Sequence, residues 1–110
     1  MKIPRPGTRV RGSRSGRPVM ALLDLLGRRW SLRILWELRS SPANFRDLRE
    51  RCGMPSPTIL NIRLAELREA GVVELGPGGY RLTGEGQELG KIMLPFHHWA
   101  ERWARRGSAR

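Results

Sequence analysis

Apolar residues along this chain recur mostly at helical intervals, and only one short stretch adopts strand-like order. The clearest helical run is Ser56 to Gly71, where Leu60, Leu64 and Leu67 fall at i, i+4 and i+7 on one stripe. Thr58, Asn61, Ile62 and Ala65 lie on the side facing away from it. Ser56 offers an N-cap oxygen, Pro57 suits a first helical position where no N–H is needed, and Gly71 can take the left-handed conformation that ends a helix. The pattern predicts about four turns of helix, with one face for a core and one left for a partner.

The flanking segments build around that helix. Pro18 opens a first helix in which Val19, Leu22, Leu23 and Leu26 recur before Gly27 stops it, the pattern of a packing helix. A second, from about Trp30 to Arg39, is apolar around so much of its circumference that it should be central; Ser40-Ser41-Pro42 ends it. Asn44 can cap a short third helix, with Asp47 three residues on and Phe45, Leu48 and Cys52 on one face. Cys52 therefore reads as a small buried hydrophobe, with a redox role as the alternative. Gly53-Met54-Pro55 then turns the chain into the Ser56 helix, which makes a helix-turn-helix. Val72 to Leu75 and Tyr80 to Leu82 read as strands around the tip Gly76-Pro77-Gly78-Gly79, and a hairpin in that place is a wing.

Thr83 can cap a last helix reaching about Arg106. In it Leu89, Ile92, Phe96, Trp99 and Trp103 are spaced 3, 4, 3 and 4 apart, the alternation of a continuous helix-helix seam. Pro95 interrupts the backbone hydrogen bonding there and should kink or split the helix. One small core has little room for both Trp99 and Trp103. The seam is therefore expected to meet its counterpart in a second subunit; the alternative is that it folds back onto the first helix of its own chain.

Composition narrows the partners. The 110 residues suffice for one small domain, and 21 Lys+Arg against 10 Asp+Glu give a formal charge of +11. That charge favours nucleic acid, with an acidic membrane surface or plain solubility as the other readings. Lys2, Arg5, Arg9, Arg11, Arg14 and Arg17 stand among Pro, Gly and Ser with no acid, so residues 1–17 are expected to form a flexible basic arm, either a solvated tail or a contact to phosphates or a minor groove. Residues 18–106 form the domain and 107–110 a tail. Cys52 is the single cysteine, which rules out an internal disulfide and suits a reducing cytoplasm. Asp24 breaks the only stretch resembling a signal peptide, and no apolar run nears the roughly 20 residues of a membrane span.

Catalytic chemistry finds little to stand on. Gly84-x-Gly86 with Gly90 misses the dinucleotide spacing and has no βαβ unit around it. His97 and His98 point apart on a helix, and His97 with Glu101 supplies too few ligands for a metal site. No enzyme activity, cofactor or metal is expected.

Taken together, LLDLLGRRWSLRILWELRSSPANFRDLRERC, SPTILNIRLAELREAGVVE and GYRLTGEGQEL resemble the HxlR-type branch of MarR-like winged-helix transcription regulators. The specific elements are Leu25-Leu26-Gly27 followed by Trp30, Phe45-x-x-Leu48, Leu60-x-x-x-Leu64-x-x-Leu67-x-x-x-Gly71 and Tyr80-x-Leu82-Thr83, in that order. The resemblance implies a mainly α fold with a small β-hairpin wing, assembled as a dimer through the first and last helices. It places the Ser56 helix of each subunit in successive major grooves. Leu22, Leu26, Leu89, Ile92, Phe96, Trp99 and Trp103 then become the dimer-interface candidates. Members that sense oxidants carry a cysteine near the start of the first helix, where this chain has Arg17-Pro18-Val19, and the wing here has no basic tip.

The expected function is sequence-specific binding to double-stranded DNA at an inverted repeat, with any small-molecule effector unknown. Thr58, Asn61 and Ile62 are the candidates for base contacts, with Pro57 and Ala65 permitting close approach. Arg46, Arg49, Ser56, Arg63 and Arg81 are the candidates for phosphates. The alternatives are a winged-helix module that binds RNA or protein, or a nonspecific architectural DNA binder.

Overall fold

A computed structural model of the chain describes residues 17–108, so most of the expected basic arm and the last two residues lie outside the described residues. The described part runs α1 (Pro18–Leu26), α2 (Ser31–Leu38), α3 (Phe45–Arg51), α4 (Pro57–Glu69), β1 (Val73–Gly76), β2 (Gly79–Leu82) and α5 (Gly84–Ser108). Mainly helical, with one antiparallel hairpin, it is a winged helix-turn-helix.

Helix α2 is the hub. It packs against α1, α3, α4, α5 and β2, and its Ile34, Leu35 and Leu38 are buried. Leu48 from α3 and Cys52 just past its end, Leu60, Leu64 and Leu67 from α4, and Val73 and Leu82 from the hairpin close around them. Each such apolar side chain contributes about 1.5–3 kcal/mol on burial, so α2 holds its neighbours through the shared core rather than through its own helix propensity.

One expectation is corrected and another narrowed. In α1 the face turned inward is Ala21 and Leu25, with Leu26 partly covered, whereas Val19, Leu22 and Leu23 point away from the subunit. The helix sits at the edge against α2, where a narrow contact is filled by one small and one large side chain. In α5, Pro95 does not split the helix, which is continuous through it. Pro95 and Lys91 are both exposed, so the Lys91 carbonyl that loses its amide partner can turn to water.

The wing pairs Val73 with Leu82, Glu74 with Arg81, Leu75 with Tyr80 and Gly76 with Gly79, which leaves Pro77 and Gly78 as the turn. It is also fastened at its base. The Ala43 N–H donates to the Tyr80 carbonyl at 3.0 Å and the Tyr80 N–H to the Ala43 carbonyl at 2.8 Å. Gly79 makes this approach possible, because a Cβ there would lie 2.5 Å from the Ala43 oxygen and its φ is +105°. Thr83 joins the two ends of the hairpin region: its hydroxyl donates to the Gly71 carbonyl at 2.6 Å and accepts from the Gly86 N–H at 3.1 Å, capping α5.

Candidate nucleic-acid interface

The turn between α3 and α4 is built from local backbone chemistry. Asn44 caps α3 by accepting the Asp47 N–H at 2.8 Å. At the other end, Gly53 and Met54 have φ of +84° and +64°, two successive left-handed residues that reverse the chain. The Met54 N–H donates to the Arg49 carbonyl at 2.8 Å, and the Arg49 side chain donates from Nε to the Pro55 carbonyl at 2.7 Å. Ser56 then accepts the Ile59 N–H at 3.1 Å and opens α4.

Two sides of α4 emerge from this. Leu60, Leu64 and Leu67 are sealed in the core, while Pro57, Thr58, Asn61 and Ala65 are exposed and Ile62 is half-buried. The exposed side is compact over its N-terminal part: one hydroxyl, one amide and two small apolar groups, with the long charged side chains Arg68 and Glu69 exposed only in the last turn. Such a surface can enter a groove about 12 Å wide and bring an amide to a base edge.

The five phosphate candidates differ in what already holds them. Arg46 is 87% exposed, with only a loose 3.7 Å pairing to Glu50. Ser56 keeps its hydroxyl proton available while its oxygen caps the helix. Arg49 has one nitrogen on the Pro55 carbonyl, and Arg81 lies across the hairpin from Glu74 with Nε 2.9 Å from its carboxylate. Arg63 is placed otherwise. Its side chain is 15% exposed and donates to the Arg29 carbonyl at 2.8 Å and to Glu66 at 2.9 Å, so its guanidinium is engaged within the subunit.

That engagement uncovers a group the sequence reading did not single out. Glu66 is 3% exposed on α4 and is held between Arg63 and Arg28, which itself reaches Asp24 at 3.4 Å. The Arg63-x-x-Glu66 spacing was a visible clue to half of the cluster. Arg28, 38 positions away, was not findable from spacing.

The seam of α5 is largely uncovered. Leu89 packs on the core, but Ile92, Phe96, Trp99 and Trp103 are exposed, with Phe96 at 74%. The fold-back onto α1 within one subunit does not occur, and α1 presents Val19, Leu22 and Leu23 outward as well.

Cys52 is buried at 1% exposure, and its thiol is pushed up from 9.0 to about 11. Loss of water around the thiolate is the main cause and Glu37 adds to it, against the opposing pull of Arg33 and Arg51. His97 lies 5.0 Å from the Trp36 ring and 3.7 Å from Glu101. Among the described residues no group of three or more His, Cys, Asp or Glu could hold a metal ion, and no helix is long and apolar enough to cross a membrane.

Comparison with known proteins agrees with this geometry. The model of the HxlR-like helix-turn-helix family matches residues 25–108. An HTH-type transcriptional regulator of Mycobacterium tuberculosis is 33% identical over 95 residues, covering 80% of this chain and 60% of that protein. The chain thus spans about 60% of the length of the mycobacterial relatives it matches. Among solved structures, quinone-bound YodB from Bacillus subtilis superposes with a TM-score of 0.70 at 31% identity, over 76% of this chain and 96% of that one. A possible HxlR family transcriptional factor from Thermoplasma volcanium gives 0.69 at 30% identity, over 76% of this chain and 82% of that one.

Proposed function

The chain belongs to the HxlR-like helix-turn-helix family, a family of DNA-binding transcription regulators, and from that premise we propose that it acts as a dimeric, sequence-specific regulator. The observation that carries this reading is the division of α4 into a buried leucine stripe and a compact exposed face that begins at the turn from α3.

In this reading α4 enters the major groove with its N-terminal half. The Asn61 amide donates to and accepts from an adenine edge, and the methyl groups of Thr58 and Ile62 meet thymine methyls. Pro57 and Ala65 add no bulk that would hold the helix off. Arg46, Ser56, Arg49 and Arg81 reach phosphates, where released counterions supply affinity without sequence choice. Arg63 acts from behind, fixing α4 to the body of the subunit.

A second copy covers the exposed α5 seam together with Leu22 and Leu26 of α1. Two-fold symmetry then demands an inverted-repeat operator with half-site centres about 34 Å apart. The site of action is the cytoplasm, on chromosomal DNA. YodB has been solved with a quinone bound; here Cys52 is enclosed and its thiol held protonated, so we assign it no sensing role.

Selection of bound duplexes from a random pool tests the proposal. An enriched inverted repeat is the expected result. Steep salt dependence with no enriched sequence would overturn it in favour of a nonspecific architectural or RNA-binding role.

A further inference from the structure

We propose that Glu66 is a positioning residue that sets the half-site spacing read by the dimer. The inference rests on the dimeric DNA-binding reading above and adds to it the group that fixes the recognition helix relative to the dimer face.

Glu66 stands in the C-terminal half of α4, with its two carboxylate oxygens taken by different arginines: Oε1 accepts from Arg63 and Oε2 from Arg28. Arg28 belongs to the turn that follows α1 and also contacts Asp24 on α1 itself. Arg63 adds a second tie, through Nε to the carbonyl of Arg29 in the same turn. Two positions one turn apart on α4 are therefore bound to the end of α1. The outer face of α1 carries the exposed Val19, Leu22 and Leu23 that a second subunit would cover.

Stability alone does not require this arrangement. A buried cluster of two acids and two arginines is often matched or exceeded in stability by apolar side chains of the same volume. What the charged cluster adds is direction: apolar surfaces slide and tilt against one another, whereas a carboxylate gripped at both oxygens fixes a distance and an angle. The leverage is considerable. From Glu66 to Thr58 along α4 is eight residues, or about 12 Å at 1.5 Å per residue, so a 10° tilt at Glu66 moves the base-reading end by about 2 Å. Recognition groups must be held within about 0.5 Å to keep their preference. In a dimer the two-fold axis applies the same tilt to both subunits, so it alters the separation of the two reading heads.

The experiment uses the full chain and the inverted repeat selected by the unaltered protein, with the spacer lengthened or shortened by one and two base pairs. The double variant Arg28→Leu/Glu66→Leu removes the carboxylate link, keeps the Arg63 tie to the Arg29 carbonyl, and takes away one positive and one negative charge together. It should remain dimeric by sedimentation and keep its preference for the half-site sequence. Its affinity ratio between the best spacer and its neighbours should fall about tenfold, within the range of ordinary coupling between sites. A folded, dimeric double variant with an unchanged spacer ratio overturns the assignment. If the double variant does not fold, Arg63→Met, which keeps the Arg28–Glu66 pair and removes the Arg29 tie, is read by the same ratio with the same two outcomes. An unaltered protein indifferent to spacer length would instead sink the dimeric reading itself, which distinguishes the two failures.

Discussion

Trp99 stacks on Trp103, ring centroids 5.9 Å apart and planes inclined by 18°, on a face of α5 that their own subunit leaves uncovered. Two large aromatic rings held parallel in water are an unfavourable end state for a monomer, and buried aromatics are the usual anchors of an interface. Phe96→Glu, on the same seam, is expected to leave helix content near that of the parent, because Phe96 is 74% exposed within one subunit, and to lower the thermal midpoint only by the lost association. It should convert the dimer to monomer in analytical ultracentrifugation and weaken binding to an inverted repeat. Unchanged sedimentation would place the subunit contact elsewhere.

Asn61→Ala separates base reading from attachment. The loss of a two-point amide contact should cost about 1–3 kcal/mol on the selected operator and little on random duplex. Thermal stability should stay within about 0.5 kcal/mol, since the side chain is exposed in the free protein. Equal losses on both DNAs, read by fluorescence anisotropy, would remove Asn61 from the base-contacting set.

Arg46 and Arg63 should behave as opposites despite both lying in the helix-turn-helix. Arg46→Ala is expected to weaken binding to all sequences and to lower the slope of log affinity against log salt by about 1, without changing stability. Arg63→Ala strands the Arg29 carbonyl and half of the Glu66 carboxylate, and should cost about 1.5–3 kcal/mol in urea unfolding. A stable Arg63→Ala protein with a reduced salt slope would return that residue to the phosphate contacts.

Cys52 should resist thiol reagents in the folded protein. With its thiol at about 11, roughly one molecule in a thousand carries the thiolate at pH 8, and the side chain is 1% exposed. Iodoacetamide labelling followed by mass spectrometry should therefore track unfolding. The shift also has a pH signature. A thiol raised from 9.0 to about 11 contributes stability that is intact below pH 9 and lost as pH climbs to 11. Over that window the parent should lose stability relative to Cys52→Ala, and parallel unfolding curves would contradict the burial argument.

Gly79→Ala tests the anchoring of the wing. The added carbon would collide with the Ala43 carbonyl and with the positive φ of that position, so the pair of hydrogen bonds between Ala43 and Tyr80 should open. Faster amide exchange at Tyr80 and a lower thermal midpoint are expected, with α4 retained. Protection equal to the parent would show that the loop yields at no cost.

Much of the architecture could be read from residue order because its determinants are local. Ser56, Pro57 and Gly71 bound α4, Asn44 opens α3, Thr83 opens α5, and the leucines of α4 give its buried stripe, since capping and periodicity act within a few residues. Tertiary structure alone decided the rest. Whether the apolar positions of α1 turn inward depends on which neighbour it meets, and only Ala21 and Leu25 are buried, with Leu26 partly covered. Whether Arg63 faces solvent or Glu66 depends on Arg28, brought in from a turn 38 positions away. The attachment of the wing to Ala43 likewise joins segments that sequence spacing does not relate. A helix and its ends are specified by near neighbours along the chain, but the side of a helix that is covered, and the partner that a charge finds, are fixed only when distant segments pack.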